Sequence, residues 1–157
     1  MFDLYEEFRK LILALDNNHI DYALCGGLAM AVYDHARATV DIDILILSES
    51  LKSVTAIAKE LGYTIRGMEM SFAKGAIEIR RVSKIHSTTG HVLSLDLLLV
   101  TPEIRSVWDT REETEWEGGN LSVVSRHGLI ALKQFRGSGR DMDDIAALKE
   151  DIGDATN

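Results

Sequence analysis

Cysteine and proline each occur only once in these 157 residues, aromatics make up 6%, and no apolar run approaches the length of a membrane span. A single cysteine excludes an internal disulfide framework and any zinc site built on Cys-x-x-Cys pairs. The lone proline, Pro102, follows a long apolar strand pattern and does no more than end it. No repeat and no proline- or serine-rich linker divides the chain, so we expect a single domain over residues 1–157. A membrane helix needs roughly 18 or more consecutive apolar residues. The opening MFDLYEEFRK carries acids where a secretory signal has a basic stretch and an apolar core. Basic side chains are outnumbered 17 to 25, for a net charge of −8, which argues against broad affinity for nucleic acid. Together these absences predict a soluble cytoplasmic protein with no membrane partner.

What is present is a mixture of helix and strand patterns. Leu4, Phe8, Leu11 and Leu15 recur at helical spacing over residues 2–16. DYALC is a short strand stopped by Gly26-Gly27, and LAMAVYDH is a helix starting directly after the glycines. TVDIDILIL is a strand. ESLKSVTAIAKEL is a helix with Leu51, Val54, Ile57, Ala58 and Leu61 on one face and Gly62 at its C-terminal stop. Strand-like runs around YTIRG, SFAKG and AIEIRRVS lead to HVLSLDLLLV, the most apolar of all. ETEWEGGNLSVV reads as a hairpin turning at Gly118-Gly119-Asn120. Ser125 caps a helix to about Arg136, and a last helix runs from roughly 140 to 151. The expectation is an α+β (α/β) fold, a central mixed β-sheet flanked by helices with further helices at the C-terminal end.

Asp41 and Asp43 break the apolar character of TVDIDILIL. Side chains alternate along a strand, so these two share one face while Val40, Ile42 and Ile44 share the other. Two bare carboxylates brought to about 4 Å repel by roughly 4 kcal/mol at an effective dielectric of about 20. A proton, arginines or a divalent metal must offset that. Asp96 is a third carboxylate in an apolar strand, with leucine at 95, 97, 98 and 99. If its strand lies beside that of Asp41 and Asp43, about 4.8 Å away, three carboxylates converge. Hard oxygen donors in that number suit magnesium or manganese. The alternative is a structural network in which Arg37 or another arginine neutralises the acids. Gly26-Gly27, between a strand and a helix, lets backbone approach a ligand closely and aims N–H groups at anions. Any tight strand-to-helix turn can use glycine for the same geometry.

The pattern apolar-Gly-Gly, thirteen residues, then Asp-Ile-Asp in an apolar strand resembles the signature of the polymerase-beta-like nucleotidyltransferases. RATVDIDILI resembles the Arg-x-Thr-x-Asp-apolar-Asp form of small bacterial members. LIALKQFRGSGRDMDDIAAL resembles a C-terminal segment of the abortive-infection (AbiEii-like) nucleotidyltransferases, and the likeness spans about residues 20 to 150. The resemblance implies that Asp41 and Asp43 hold Mg2+ or Mn2+ bound to a nucleoside triphosphate. Asp96 would complete the site and help activate an acceptor hydroxyl. Gly26 and Gly27 would hold the triphosphate, with Arg37, Thr39 and Lys133 as further nucleotide-binding candidates.

Each of those helpers has an ordinary reading as well. Arg37 and Thr39 are also a loop arginine and a common strand residue. Lys133 lies near the apolar face of its helix, where lysine usually snorkels. Arg140 and Asp144 form an i,i+4 pair, and Asp141 stabilises a helix N-terminus. Cys25 lacks a base and is read as a buried thiol, and His35 stays a candidate through its nearness in sequence. Arg66, Lys74, Arg80, Arg81 and Lys84 make a basic segment that could bind an acceptor or simply blunt a sheet edge. The expected reaction is transfer of a nucleoside monophosphate to RNA, such as a tRNA 3′ end, or to protein, by a toxin-like enzyme with a cognate antitoxin or a role in phage defence. A small-molecule acceptor, or a non-catalytic module that retains the fold, are the alternatives. The chain looks short for a small-molecule enzyme.

Overall fold

The computed structural model describes residues 2–36, 39–137 and 139–156, of which Arg140 and 154–156 are described in backbone only. The elements run α1 (Leu4–Asn17), β1 (Ala23–Cys25), α2 (Gly26–Val32), β2 (Asp41–Ile46), α3 (Leu51–Glu60), β3 (Ile65–Arg66), β4 (Met70–Phe72), β5 (Ile77–Ile85) and β6 (Val92–Leu99). There follow α4 (Arg105–Asp109), β7 (Glu112–Trp116), β8 (Gly119–Val123), α5 (Arg126–Arg136) and α6 (Gly139–Thr156). The eight strands form one mixed sheet in the order β3-β5-β6-β2-β1-β8-β7, with β4 pairing separately to β5. β2–β6 and β1–β8 are parallel, and the other pairs are antiparallel. This is the α+β architecture that the mixture of patterns predicts.

Local chemistry accounts for most element ends. The Asp3 carboxylate accepts from the Glu6 N–H at 3.2 Å and caps α1, which buries Phe8, Leu11, Ile12 and Leu15. Ser125 Oγ accepts from the Gly128 N–H at 3.0 Å, and Gly137 closes α5 in the left-handed region with φ 68°. Four local expectations need correcting. α2 begins at Gly26 itself, so both glycines lie in its first turn. The hairpin turns at Glu117 (φ 52°) and Gly118 (φ 74°), while Gly119 already pairs with Trp116. Two positive φ values in a two-residue loop match the twist of a hairpin, so the turn falls one residue before the glycine pair. SFAKG is strand only to Phe72, because Ala73–Gly75 must reverse the chain into β5. Pro102 also does more than stop a strand. It opens a 3-10 turn, Pro102–Ile104, that leads into α4 and buries Ile104, Val107 and Trp108, since its fixed φ suits a helix start.

The sheet has two unlike faces. Ile42, Ile44 and Ile46 of β2 stand beside Leu95, Leu97 and Leu99 of β6, and all six are buried. α1 lies on this face, tied there by a pair between Glu7 and Lys84 of β5. Lys84 Nζ also donates to the Leu61 carbonyl at 3.0 Å and sits 4.8 Å from the Tyr63 ring centre. The basic segment is therefore largely spent on the protein's own acids. Arg80 meets Glu78 at 3.3 Å and Glu69 at 3.5 Å, and Arg81 takes Asp96. By strand parity Arg80 and Lys84 also face away from Arg81. Among the described residues no helix is long and apolar enough to cross a membrane. Lys84→Ala strands the Glu7 carboxylate in a mostly buried setting. It should lower stability by about 3 kcal/mol in urea unfolding, and a loss under about 1 kcal/mol would make the pair a weak surface contact.

Candidate active site

The second face carries the acids. In the parallel β2–β6 ladder Asp43 stands opposite Asp96 and Asp41 opposite Ser94. In the antiparallel β5–β6 ladder Arg81 stands opposite Asp96 and Ser83 opposite Ser94. Cys25 of β1 faces Asp43 from the other side. One row across four strands thus reads Cys25, Asp43, Asp96, Arg81. The three aspartates share one face and lie on adjacent strands. α5 covers this face in part, and a cleft there is lined by Gly26, Asp43, Leu129, Lys133 and Arg136.

Gly26 is required by this crowding. Its φ of +67° lies in the left-handed region, and a Cβ at this position would fall 2.7 Å from Asp43 Cγ. A Cβ at Gly27 would fall 2.9 Å from both Cβ and Oγ1 of Thr39. The glycine pair therefore lets the β1–α2 corner press directly on the acidic strand. Thr39 uses its hydroxyl locally, donating to the Asp41 carbonyl at 3.2 Å. Arg37 lies outside the described residues.

Charge at the site is unevenly compensated. The Arg81 guanidinium grips both oxygens of Asp96, with Nε to Oδ1 at 2.7 Å and Nη2 to Oδ2 at 2.9 Å. Asp43 has no such partner among the described residues, and burial followed by the Asp96 and Asp41 charges pushes its carboxyl up to about 7. Burial, then the Asp96 charge, raises Asp41 as well. Among the described residues no three acidic, histidine or cysteine side chains gather closely enough to hold an ion as they stand. The register puts the three aspartates on one face of adjacent strands. The side-chain arrangement departs from a three-carboxylate centre, because Asp96 is turned to Arg81.

Lys133 neither snorkels nor points free into the cleft. It is buried on α5, with Nζ 2.9 Å from Asp144 Oδ2 and 3.9 Å from Asp141 Oδ1 on α6. Asp141 and Asp144 are thus buried counterions, not merely acids suited to a helix start. The Arg140–Asp144 pairing involves a side chain outside the described residues. Arg136, at the end of α5, reaches towards Asp141 at 3.9 Å and lines the cleft. His35 bonds Asp151 of α6 at 2.7 Å, alongside Arg126 at 3.1 Å. Burial holds the Cys25 thiol well above its usual range, so it stays unionised. The sequence places Arg81 only in the basic segment and Arg136 only at a helix end, and neither is read there as part of the acidic site. Only knowledge of the β5–β6 register singles out Arg81 from its neighbour Arg80.

The chain superposes on ANT(2″)-Ia, an antibiotic-resistance factor, with a TM-score of 0.63 and 14% identity over 98% of this chain and 88% of that one. The fold is that of the nucleotidyltransferases. A candidate nucleotidyltransferase from Thermotoga maritima shares it at a TM-score of 0.58 and 16% identity, covering 97% of this chain and 94% of that one. So does ANT(2″)-Ia in complex with adenylyl-2″-tobramycin, at 0.64 and 13% identity over 95% and 89% of the two chains. No family model matches the sequence, and no curated protein does.

Two outcomes follow from the site's packing and charge. Gly26→Ala should destabilise the protein by about 2 kcal/mol or more, from the left-handed φ and the clash with Asp43, read by thermal or urea unfolding. The Asp43 carboxyl sits above its unfolded value near 3.8, so its contribution is fully present below about pH 4 and is lost as pH rises through about 7. The ion-free protein should accordingly melt higher at pH 5 than at pH 8, and Asp43→Asn should flatten that dependence. An unchanged slope in the variant would assign it to other groups.

Proposed function

We propose that this chain is a metal-dependent nucleotidyltransferase that moves a nucleoside monophosphate from a nucleoside triphosphate to a hydroxyl acceptor. The observation that carries this reading is the register that sets Asp43 beside Asp96, with Asp41 on the same face and Gly26 pressed against Asp43. The nucleotidyltransferase fold of the neighbours supports it.

The residues present fit a hard divalent cation. Asp41 and Asp43 offer carboxylate oxygens, and Asp43 carries a raised pKa caused by burial and neighbouring acids. That is the electrostatic condition a cation relieves. Asp41 and Asp43 would hold Mg2+ or Mn2+, with Asp96 as the third ligand. When bound, the metal neutralises these acids and stabilises the attacking and leaving oxygens of an in-line displacement. In the proposed reaction the acceptor oxygen attacks the α-phosphorus, the bond to the β-phosphate bridging oxygen breaks, and pyrophosphate leaves. Asp96 draws the proton from the acceptor hydroxyl. The backbone at Gly26 and Gly27 admits the triphosphate closely, and Thr39, Arg37 and Lys133 stand as its further contacts. Lys133 must first exchange Asp144 for phosphate.

The acceptor follows two lines. The abortive-infection resemblance favours RNA, such as a tRNA 3′ end, or protein, with a toxin-like role and a cognate antitoxin. A small-molecule alcohol gains support from the likeness to ANT(2″)-Ia, whose complex contains adenylyl-2″-tobramycin. This chain covers 88% of that one, so its length does not weigh against a small acceptor. The pairing of Arg80, Arg81 and Lys84 with acids also leaves less free positive charge for a nucleic acid.

The test supplies each α-labelled nucleoside triphosphate, Mg2+ or Mn2+, and a cell extract as acceptor pool, beside the Asp41→Ala/Asp43→Ala double variant. Label passing to RNA, protein or a small molecule only with the native chain establishes the reaction and the acceptor class. Metal-dependent nucleotide binding, lost in the variant but without transfer from any nucleotide, would instead indicate a non-catalytic nucleotide-binding module.

A further inference from the structure

The Arg81–Asp96 pair conflicts with the role that the proposed reaction gives Asp96. A carboxylate whose two oxygens both accept from one guanidinium, at 2.7 and 2.9 Å, has its strongest acceptor directions already used. The pair is also asymmetric. Asp96 is nearly enclosed, with 8% of its side chain exposed, whereas the Arg81 side chain is 37% exposed. The acid cannot turn to another partner in solvent, but the guanidinium can leave towards it. The Arg81 stem is held against β3's flank, since a Cβ at Gly67 would lie 3.1 Å from Arg81 Cβ and 3.3 Å from its Cγ. The base of the side chain is therefore fixed, and its charged end is aimed across β5 at β6. Asp41 and Asp43, in contrast, have no ion pair among the described residues.

We propose that Arg81 is a built-in competitor for the divalent cation, a positioning residue that occupies Asp96 while the site is empty and yields it when metal and nucleotide load. This rests on the metal-dependent reading of the site. Two of the three carboxylates are open to an ion from the start, and the third becomes available only when the guanidinium departs. Affinity for a bare ion is consequently held below what three free carboxylates would give. The proton-accepting role of Asp96 begins with the same release.

The experiment measures binding of Mn2+ alone by the loss of its free-ion electron paramagnetic resonance signal. Native chain, Arg81→Gln, Arg81→Lys and Asp43→Asn are compared. Removing a charge-assisted bidentate pair should tighten Mn2+ binding by about tenfold in Arg81→Gln, with Arg81→Lys between it and the native chain. A purely structural ion pair predicts the opposite sign, because its loss loosens the site. Unchanged or weaker binding in a folded Arg81→Gln overturns the proposal. Should that variant not fold, the Arg81 Nε–H resonance of the native chain decides, with Asp43→Asn as its control. That signal should shift or exchange-broaden on adding Mg2+ together with a nucleoside triphosphate, and stay put when the same mixture is added to Asp43→Asn. A resonance insensitive to saturating Mg2+ and nucleoside triphosphate, in a chain that does bind the ion, overturns the competitor and leaves the metal site standing. No ion binding by the native chain overturns both.

Discussion

The register of β2 against β6 is the constraint on which this molecule depends. Both strands are apolar on one face, and burying Ile42, Ile44 and Ile46 against Leu95, Leu97 and Leu99 fixes their alignment. A slip of one residue would turn Leu95, Leu97 and Leu99 to the wrong side. The same alignment leaves no choice on the opposite face: Asp43 must stand beside Asp96, and Asp41 beside Ser94. Hydrophobic burial thus enforces an unfavourable electrostatic contact. It tolerates the contact because Asp41 and Asp43 sit near the start of β2, where they keep partial exposure, while Ile44, Leu45 and Ile46 further along are buried.

Proteins can relieve such a contact in several ways, and this one uses two of them. Asp96 is neutralised by a dedicated arginine from the next strand. Asp43 is left to burial and like charge, with its carboxyl pushed up to about 7. The same economy recurs away from the acids. Lys84 is committed to Glu7 across the sheet's other face, and Lys133 to Asp144 and Asp141 between α5 and α6. Each of these cations lies where burial without a partner would be costly. Most positive charge near the core is therefore already assigned, which explains why a basic stretch in the chain does not become a basic surface.

How much of this was legible in the sequence depends on the range of the interaction involved. Periodicity exposed α1, α3, the acidic strand and the Asp96 strand, because the burial of a face is written into every second or every third and fourth residue. Ser125 as a cap was legible for the same local reason. The grouping of Asp41, Asp43 and Asp96 came from chemistry, since an isolated acid among leucines demands a partner. What escaped was pairing between distant segments. Nothing in EIRRVS says that Arg81, not Arg80, faces Asp96, because that depends on the β5–β6 register. Nothing near Lys133 says that α6 will return two acids to it. The hairpin tip and α4 were missed for a smaller reason: turn geometry and a proline start override the plain reading of Gly-Gly as a turn and proline as a stop.

The distribution of compensated and uncompensated charge bears directly on how a ligand would be received. In this structure Arg81 serves Asp96, Lys133 serves Asp144, and Arg136 leans towards Asp141. Among the described residues Asp41 and Asp43 alone in this cluster lack a cationic partner within ion-pair distance. Negative potential is thus concentrated at one edge of the cleft, beside the Gly26 corner, while the cations lie along its other borders. Under the proposed function, a divalent ion carrying a polyphosphate would match that separation, its metal at the acids without an ion pair and its anion towards the cations on α5. A lone anion would be repelled by Asp41 and Asp43. A lone cation would meet only two of the three carboxylates. On the proposed reading a ligand bearing both charges at once would suit this arrangement best, once Lys133 has left Asp144 and Arg81 has left Asp96.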